Sequence, residues 1–159
     1  MTTPTSIERI SYGGPDGSLQ LGEHRQVIQS VGATRTLLAK ESGALCLFDR
    51  AAGNAYTLPT PVEGMKFEFV TSADVTSNAS SVTTSAATVF LLGSVCSGKL
   101  AAGMDVFQAN GTSHVGISMA GSTTGGLIGS KFTLVAISAT QWVITGYLVG
   151  SGTLADPFV

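Results

Sequence analysis

The sequence predicts an all-β fold, a single compact antiparallel β-sandwich or barrel. From Arg35 onward, short runs alternate apolar and polar residues, the period of a strand with one buried face. Turn-forming residues, 20 glycines among them, separate these runs at close spacing, as in sandwiches and barrels. No amphipathic helix of ten or more residues stands out. We therefore expect roughly eight to eleven short strands.

The first part of the chain is the least strand-like and predicts an extended N-terminal arm. We assign residues 1–34 to this arm and residues 35–159 to the β-domain. A dense cluster of glycine, proline and aspartate separates the short candidate strands Ile7–Tyr12 and Leu19–Leu21, and Gln26–Val31 is a third candidate. An ordered arm laid over a neighbouring subunit and a floppy tail both remain open, because termini are disordered unless they are tied down. We expect no second domain, and the sequence shows no regular internal repeat.

Three strands are expected early in the β-domain. Arg35–Lys40 and Ala44–Asp49 predict a hairpin through the turn between them. Tyr56–Leu58 is a short strand that must end at Pro59, because proline has no N–H for a sheet ladder. Met65–Val70 alternates apolar and polar residues and predicts a strand with one buried face.

The middle of the chain is poorer in apolar residues. Thr71–Ala87 is rich in serine, threonine and alanine, and predicts a surface loop or an exposed hairpin containing a weak strand at Ser81–Thr84. Thr88–Leu92 resumes the core pattern, and Gly93–Gly103 is expected to be a loop because of its glycines.

The pair Asn110 and Gly111 is the strongest short-range hairpin signal in the chain. It lies between the candidate strands Met104–Gln108 and His114–Ala120. A loop rich in glycine and threonine, Gly121–Gly129, follows.

The last clear hairpin joins Lys131–Ser138 to Gln141–Val149. The first of these strands has apolar residues on both faces, which predicts burial on both sides. Trp142, the single tryptophan of the chain, is expected to anchor the core near one end of a sheet.

Two stretches resemble a pattern found in small β-rich virion proteins of phages. The pattern is a strand ending in Tyr56–Pro59, then Gly64, then the aromatic strand Phe67–Val70, and later the segment Gln141–Gly146, whose W-x-I-x-G sequence resembles the final W-x-V-x-G strand of those proteins. It is similar to capsid decoration (cement) proteins and to the head domains of some tail fibres. The resemblance covers residues 44–70 and 131–148, under a third of the chain.

The resemblance implies a jelly-roll or β-tulip-like domain and a non-enzymatic structural role. It implies a decoration protein, a homotrimer that binds the major capsid protein on the outside of an assembled shell and stabilises it. Such a protein is made in the host bacterial cytoplasm and ends on the capsid exterior. We expect residues 1–31 and the Thr71–Ala87 loop to make these contacts.

The alternative is a receptor- or glycan-binding head domain of a phage tail or head fibre. Such a head should display aromatic residues on loops, for stacking on sugars. Thr71–Ala87 and Gly121–Gly129 contain none, and this favours decoration.

The composition is unusually poor in charge. Charged residues make up 11% of the chain, against about 25% in typical globular proteins. Either serine and threonine cover the exposed positions, or much of the surface is covered in an assembly, where lone charges are costly to bury.

The same composition bears on nucleic acid and membranes as partners. The eight lysines and arginines are scattered and the net charge is −2, so we expect no nucleic-acid partner. No apolar stretch approaches the roughly 18 residues of a membrane span, and the polar start of the chain predicts no signal peptide.

Candidate chemistry is sparse, and we expect no enzyme activity, no cofactor and no metal site. Gly93–Lys99 fits the phosphate-loop pattern G-x-x-x-x-G-K, but Leu100 replaces the required hydroxyl residue. His24 and His114 are isolated imidazoles, expected at the surface, at a strand end or, for His24, at an interface.

The acidic residues and the cysteines have structural interpretations. We expect Asp49 at a strand end, Glu63 in a turn, Glu68 on a solvent-facing side of its strand and Asp105 at the start of a strand. The two cysteines, Cys46 and Cys96, are expected to be buried free thiols, with a disulfide left open.

Overall fold

The computed structural model describes residues 25–99 and 102–159, and this part of the chain is almost entirely β. Two β-sheets pack face to face, and one 3₁₀ turn, Ala39–Glu41, is the single helical element among the described residues. The all-β prediction is confirmed. The two sheets are compatible with a sandwich, and they do not close into a barrel.

Eleven strands are numbered in chain order. They are β1 (Val27–Ile28), β2 (Thr34–Thr36), β3 (Leu45–Phe48), β4 (Ala55–Thr57), β5 (Lys66–Thr71), β6 (Ser80–Thr83), β7 (Phe90–Lys99), β8 (Ala102–Asn110), β9 (Gly116–Met119), β10 (Lys131–Ser138) and β11 (Gln141–Gly150).

The larger sheet has the order β1-β3-β5-β10-β11-β7-β8, and the smaller sheet has the order β2-β4-β6-β9. Five of the nine strand pairs formed by the described residues are parallel. The expectation of an antiparallel sandwich is therefore wrong, because the chain repeatedly crosses from one sheet to the other instead of turning back on itself.

The first six strands alternate between the two sheets, so that the chain winds around the core, and we call each such round a coil. Strands β1, β3 and β5 are parallel neighbours in the larger sheet, while β2, β4 and β6 are parallel neighbours in the smaller one. Successive coils are tied by Asn54, whose side-chain amide donates to the Gly32 carbonyl at 2.7 Å and whose backbone N–H donates to Ser80 Oγ at 3.3 Å. The coils have unequal lengths, which explains why the sequence shows no regular repeat.

The hairpin of β10 and β11 joins the two halves of the larger sheet. Strand β10 is antiparallel to β5, and β11 runs parallel to β7 over its whole length. The prediction of this hairpin is confirmed. Its first strand is buried on the inner face only, because Ile137 on the outer face is 45% exposed.

Aromatic residues fill the space between the sheets. Tyr56 of the smaller sheet packs edge-on against Phe48 and Phe69 of the larger one, with ring centroids 5.4 and 5.6 Å apart. Its hydroxyl donates to the Leu47 carbonyl at 2.8 Å, so this buried polar atom is satisfied. Trp142 is fully buried, as expected.

The hairpin predicted between Arg35–Lys40 and Ala44–Asp49 is wrong. The strand β2 ends at Thr36, and the Glu41 carboxylate closes the 3₁₀ turn by accepting the Leu38 N–H at 2.8 Å and pairing with Arg35. This turn carries the chain from the smaller sheet to the larger one. As a result, β2 pairs with β4, and β3 pairs with β5.

Two predicted loops contain strands. Gly93–Gly103 holds most of β7 and the start of β8, so the loop prediction there is wrong. In Thr71–Ala87 the weak strand predicted at Ser81–Thr84 is confirmed as β6, but it is an inner strand between β4 and β9 with Val82 buried, and so it is not exposed. The turn at Asn110 and Gly111 forms, but it leads from β8 in the larger sheet to β9 in the smaller one. It does not make a hairpin.

The C-terminal residues complete the smaller sheet. Pro157–Val159 runs antiparallel to β9, with the Ser118 N–H donating to the Pro157 carbonyl at 2.8 Å and the Val159 N–H donating to the Gly116 carbonyl at 3.0 Å. At the other end, the expectations for Ile7–Tyr12 and Leu19–Leu21 lie outside the described residues. The part of the expected arm from Arg25 onward contributes β1.

Candidate functional site

The phosphate-loop pattern lies inside a strand. Gly93–Lys99 forms the C-terminal part of β7. The Lys99 ammonium donates to the Gly152 carbonyl at 2.8 Å. Phosphate binding by this motif needs a loop leading into a helix whose N–H groups face the anion. Strand β7 is instead paired along both sides, with β8 and β11.

His114 has a structural position at the crossing between the sheets. Its Nδ1 accepts the Asn110 N–H at 3.3 Å, and its ring stacks on Phe158 with centroids 5.6 Å apart. The Asn110 side chain in turn accepts the N–H groups of Thr112 and Ser113, both at 2.9 Å. The imidazole therefore helps to close a turn. His24 lies outside the described residues.

Glu68 is not solvent-facing, and that expectation is wrong. It lies on the outer face of β5 but is only 6% exposed, because Arg25 and Lys131 close over it. Its carboxylate contacts Arg25 Nη1 at 2.5 Å and Lys131 Nζ at 2.7 Å. Hydrogen bonds from Arg25 and then from Lys131 lower the pKa of Glu68, outweighing the opposing effect of burial.

The other acidic residues are dispersed. Asp49 accepts the Ser30 N–H at 2.5 Å, Glu63 is exposed in a turn, and Asp105 is exposed on β8. No group of three or more histidine, cysteine, aspartate or glutamate side chains within 25–99 and 102–159 has an arrangement that could hold a metal ion. Among the same residues, no helix is long and apolar enough to span a membrane.

The two thiols differ in their surroundings and are not linked. Cys46 is fully buried, and burial raises its pKa to about 12. Cys96 is half-buried on the outer side of β7. Both are free, so the prediction of a buried thiol is confirmed for Cys46, while Cys96 is partly accessible.

The feature that the structure brings together is an uncharged outer surface on one end of the larger sheet. Cross-strand partners lie on the same side of a sheet, so the registers of β7, β8 and β11 define which residues share it. We call this surface the uncharged face. Its members are Leu92, Ser94, Cys96, Gly98, Met104, Val106, Gln108, Asn110, Val143, Thr145, Tyr147 and Val149.

Several large side chains of the uncharged face are open to solvent. Met104 is 62% exposed, Val106 is 59% exposed and Tyr147 is 43% exposed. The Tyr147 ring lies across Gly98, where a Cβ would come within 2.2 Å of the hydroxyl. The face is thus made of apolar and neutral polar groups over three strands, with Lys131 and Glu68 lying beyond it on β10 and β5.

Sequence reasoning missed the uncharged face because it placed a loop at Gly93–Gly103. The signal was nevertheless present, since Leu92, Ser94 and Cys96 alternate with the buried or inward-facing residues of β7. The glycines concealed it, because glycine is usually a loop signal.

No family model matches the chain, and no curated protein or solved structure shows a significant similarity to it.

Proposed function

We propose that this protein is a structural component of a phage virion that binds the outside of an assembled capsid and stabilises it. The uncharged face is the observation that supports this most. A stable monomer in water normally carries charges of both signs over its surface, and a contiguous apolar surface usually marks an interaction site. The resemblance of residues 44–70 and 131–148 to decoration proteins supplies the identity of the partner, the major capsid protein.

The proposed mechanism is selective binding to one state of the capsid protein. A ligand that binds only the assembled shell shifts the equilibrium toward it by RT ln(1 + [L]/Kd). The protein acts on the exterior of the virion after synthesis in the bacterial host. For the oligomeric state, the resemblance implies a homotrimer. The proposed mechanism requires no catalytic group.

The direct test is co-sedimentation of the purified protein with shells from which it has been stripped, beside unassembled capsid protein. We expect binding that saturates at a fixed ratio on shells and no binding to loose subunits. Absence of binding to shells, together with binding to host cells or their surface glycans, would contradict the proposal and support the fibre-head alternative.

A pair of charge substitutions tests the role of the uncharged face. Leu92→Lys places a cation on this face, and we expect it to weaken shell binding at least tenfold, because the lysine must be desolvated in the contact. Val62→Lys is the matched control, since Val62 is 59% exposed in a turn outside the face. Equal affinity of the two variants would exclude the uncharged face from the contact.

The two thiols give a second measurement of the same contact. Cys96 lies on the uncharged face and should react with a thiol reagent in the free protein, whereas the fully buried Cys46 with its pKa of about 12 should not. Binding to the shell is expected to slow labelling of Cys96. Unchanged labelling in the bound state would place the contact elsewhere.

A further inference from the structure

The edges of the two sheets are protected very unequally. An edge strand presents unpaired N–H and C=O groups, and proteins usually shorten, charge or cover it. Strands β1 and β2 are two and three residues long, and β9 is covered by Pro157–Val159. Strand β8 is nine residues long, and no other described strand lies along its outer side.

The direction of the free backbone groups of β8 follows from its pairing with β7. The Gly111 N–H donates to the Leu91 carbonyl at 2.8 Å, and the register then runs without a break to Gly98 and Met104. Hydrogen-bonded and non-hydrogen-bonded pairs alternate in an antiparallel ladder. Phe107 and Asp105 therefore bond to β7, while the N–H and C=O groups of Met104, Val106 and Gln108 point away from the sheet.

The side chains on β8 offer no protection against pairing. Asp105 is its single charged residue, and Met104 and Val106 are exposed on the uncharged face. A long, apolar edge with few charges is a site for adding a strand.

We propose that β8 pairs antiparallel with β8 of a second copy of this chain, across a two-fold axis at Val106. This register sets Val106 opposite Val106 of the second copy and Met104 opposite Gln108, so all three outward-pointing residues exchange main-chain hydrogen bonds. The two larger sheets become one continuous sheet, and the two uncharged faces become neighbours.

The charge on Asp105 selects this register. With the axis at Asp105, the outward-pointing N–H and C=O groups of the two copies still meet. The two Asp105 carboxylates would then lie directly opposite each other, which is unfavourable. With the axis at Phe107, Met104 would lie opposite Asn110 and would need its N–H. That N–H already donates to His114 Nδ1. With the axis at Val106, Asp105 lies opposite Phe107 and no like charges face each other.

This inference does not depend on capsid binding, and it concerns a contact between two chains. The homotrimer implied by the resemblance would need a different contact, so a mass of three chains in solution would support the homotrimer and overturn this inference. We expect the purified full-length protein to have the mass of two chains in sedimentation velocity, dissociating to one chain on dilution.

Two variants of Val106 test the contact itself. Val106→Pro removes an outward N–H that β7 does not use, and proline is tolerated on edge strands. Val106→Lys sets two cations opposite each other at the axis. We expect both variants to have the mass of one chain. Ile137→Lys is the matched control, because Ile137 is 45% exposed on the same outer side but lies on β10, away from the edge; it should remain a dimer.

Hydrogen exchange of the wild-type protein gives a test that does not rely on any variant. The amides of Met104, Val106 and Gln108 should exchange slowly at high protein concentration and faster on dilution. A monomer at every concentration, or an oligomer that both Val106 variants leave unchanged, would overturn the proposal. The proposal would also be overturned if the protection of these amides did not depend on concentration and disappeared when residues 1–24 were deleted. The strand that covers β8 would then come from the same chain.

Discussion

Gly146 shows why glycine is required at one position of β11, the strand that carries the W-x-I-x-G sequence. A Cβ at this position would lie 2.4 Å from both the Lys131 carbonyl oxygen and Phe132 Cβ. These atoms belong to the backbone and to the stem of a buried residue in the paired strand β10, so they cannot move aside separately. The glycine therefore lets β10 and Phe132 approach β11 closely.

We expect Gly146→Ala to lower the free energy of unfolding by at least about 2 kcal/mol, since overpacking a closely fitted site forces the backbone to shift. Urea denaturation measures this loss. Gly98→Ala is the control, because its Cβ would meet only the end of the Tyr147 side chain, which can rotate. Equal losses in the two variants would show that backbone proximity at Gly146 is not the cause.

Residue-level sequence reasoning succeeded where burial follows from chemistry and failed where partners come from distant strands. Trp142 and Cys46 are apolar and were correctly placed in the core. Glu68 alternates with two buried phenylalanines, so its side of the strand was correctly identified. Its burial depends on Arg25 and Lys131, which lie far away in sequence, and local alternation carries no information about them.

At the level of elements, the C-terminal strand closes one edge of the smaller sheet. Phe158 is only 7% exposed and stacks on His114, whereas the adjacent Val159 is 56% exposed. The side chain of Phe158 thus joins the terminal strand to the core and to the crossing between β8 and β9.

We expect Phe158→Ala to destabilise the protein by about 3 kcal/mol, the lower end of the range for truncating a buried phenylalanine. Val159→Ala should change stability by less than about 0.5 kcal/mol, as at other exposed positions. Thermal and urea denaturation of the two variants measure the difference. A small effect of Phe158→Ala would mean that the terminal strand is held by its main-chain hydrogen bonds alone.

The strand pairing that was predicted correctly is the one whose two strands are adjacent in sequence. Strands β10 and β11 are joined by a two-residue turn, so alternation and turn residues together determine their pairing. The pairing of β7 with β11 or of β2 with β4 connects strands separated by other elements, and nothing in the local pattern encodes it. The uncharged face depends on these distant pairings, which is why the sequence did not reveal it.

At the level of the whole molecule, the ion pairs of Glu68 connect three parts of the larger sheet. Arg25 precedes β1, Glu68 is on β5 and Lys131 begins β10. Because these hydrogen bonds lower the pKa of Glu68 in the folded state, the stability they contribute is present above the pKa of the unfolded chain. It is lost as the pH falls through the lower pKa of the folded state.

We expect wild-type protein to lose stability progressively below about pH 4.5, and Glu68→Gln to show a weaker dependence in that range. At neutral pH, Glu68→Gln should cost about 1–2 kcal/mol, a modest loss because both cationic partners are partly exposed. Glu63→Gln is the control, since Glu63 is exposed in a turn. Denaturation curves across pH measure both effects, and identical pH profiles for Glu68→Gln and wild type would contradict the assignment.

The hairpin of β10 and β11 lies between β5 and β7 in the larger sheet, although it is made last. This position affects the order in which the chain can fold during synthesis. The coils of β1 to β6 can form as the polypeptide emerges from the ribosome, because each strand from β3 onward pairs with one already made. Strands β7 and β8 can pair with each other, but they join the coil in the larger sheet only when β10 and β11 arrive between them. A nascent chain interrupted before residue 131 would therefore hold two separate fragments of that sheet, each with an open edge, until translation of the hairpin unites them.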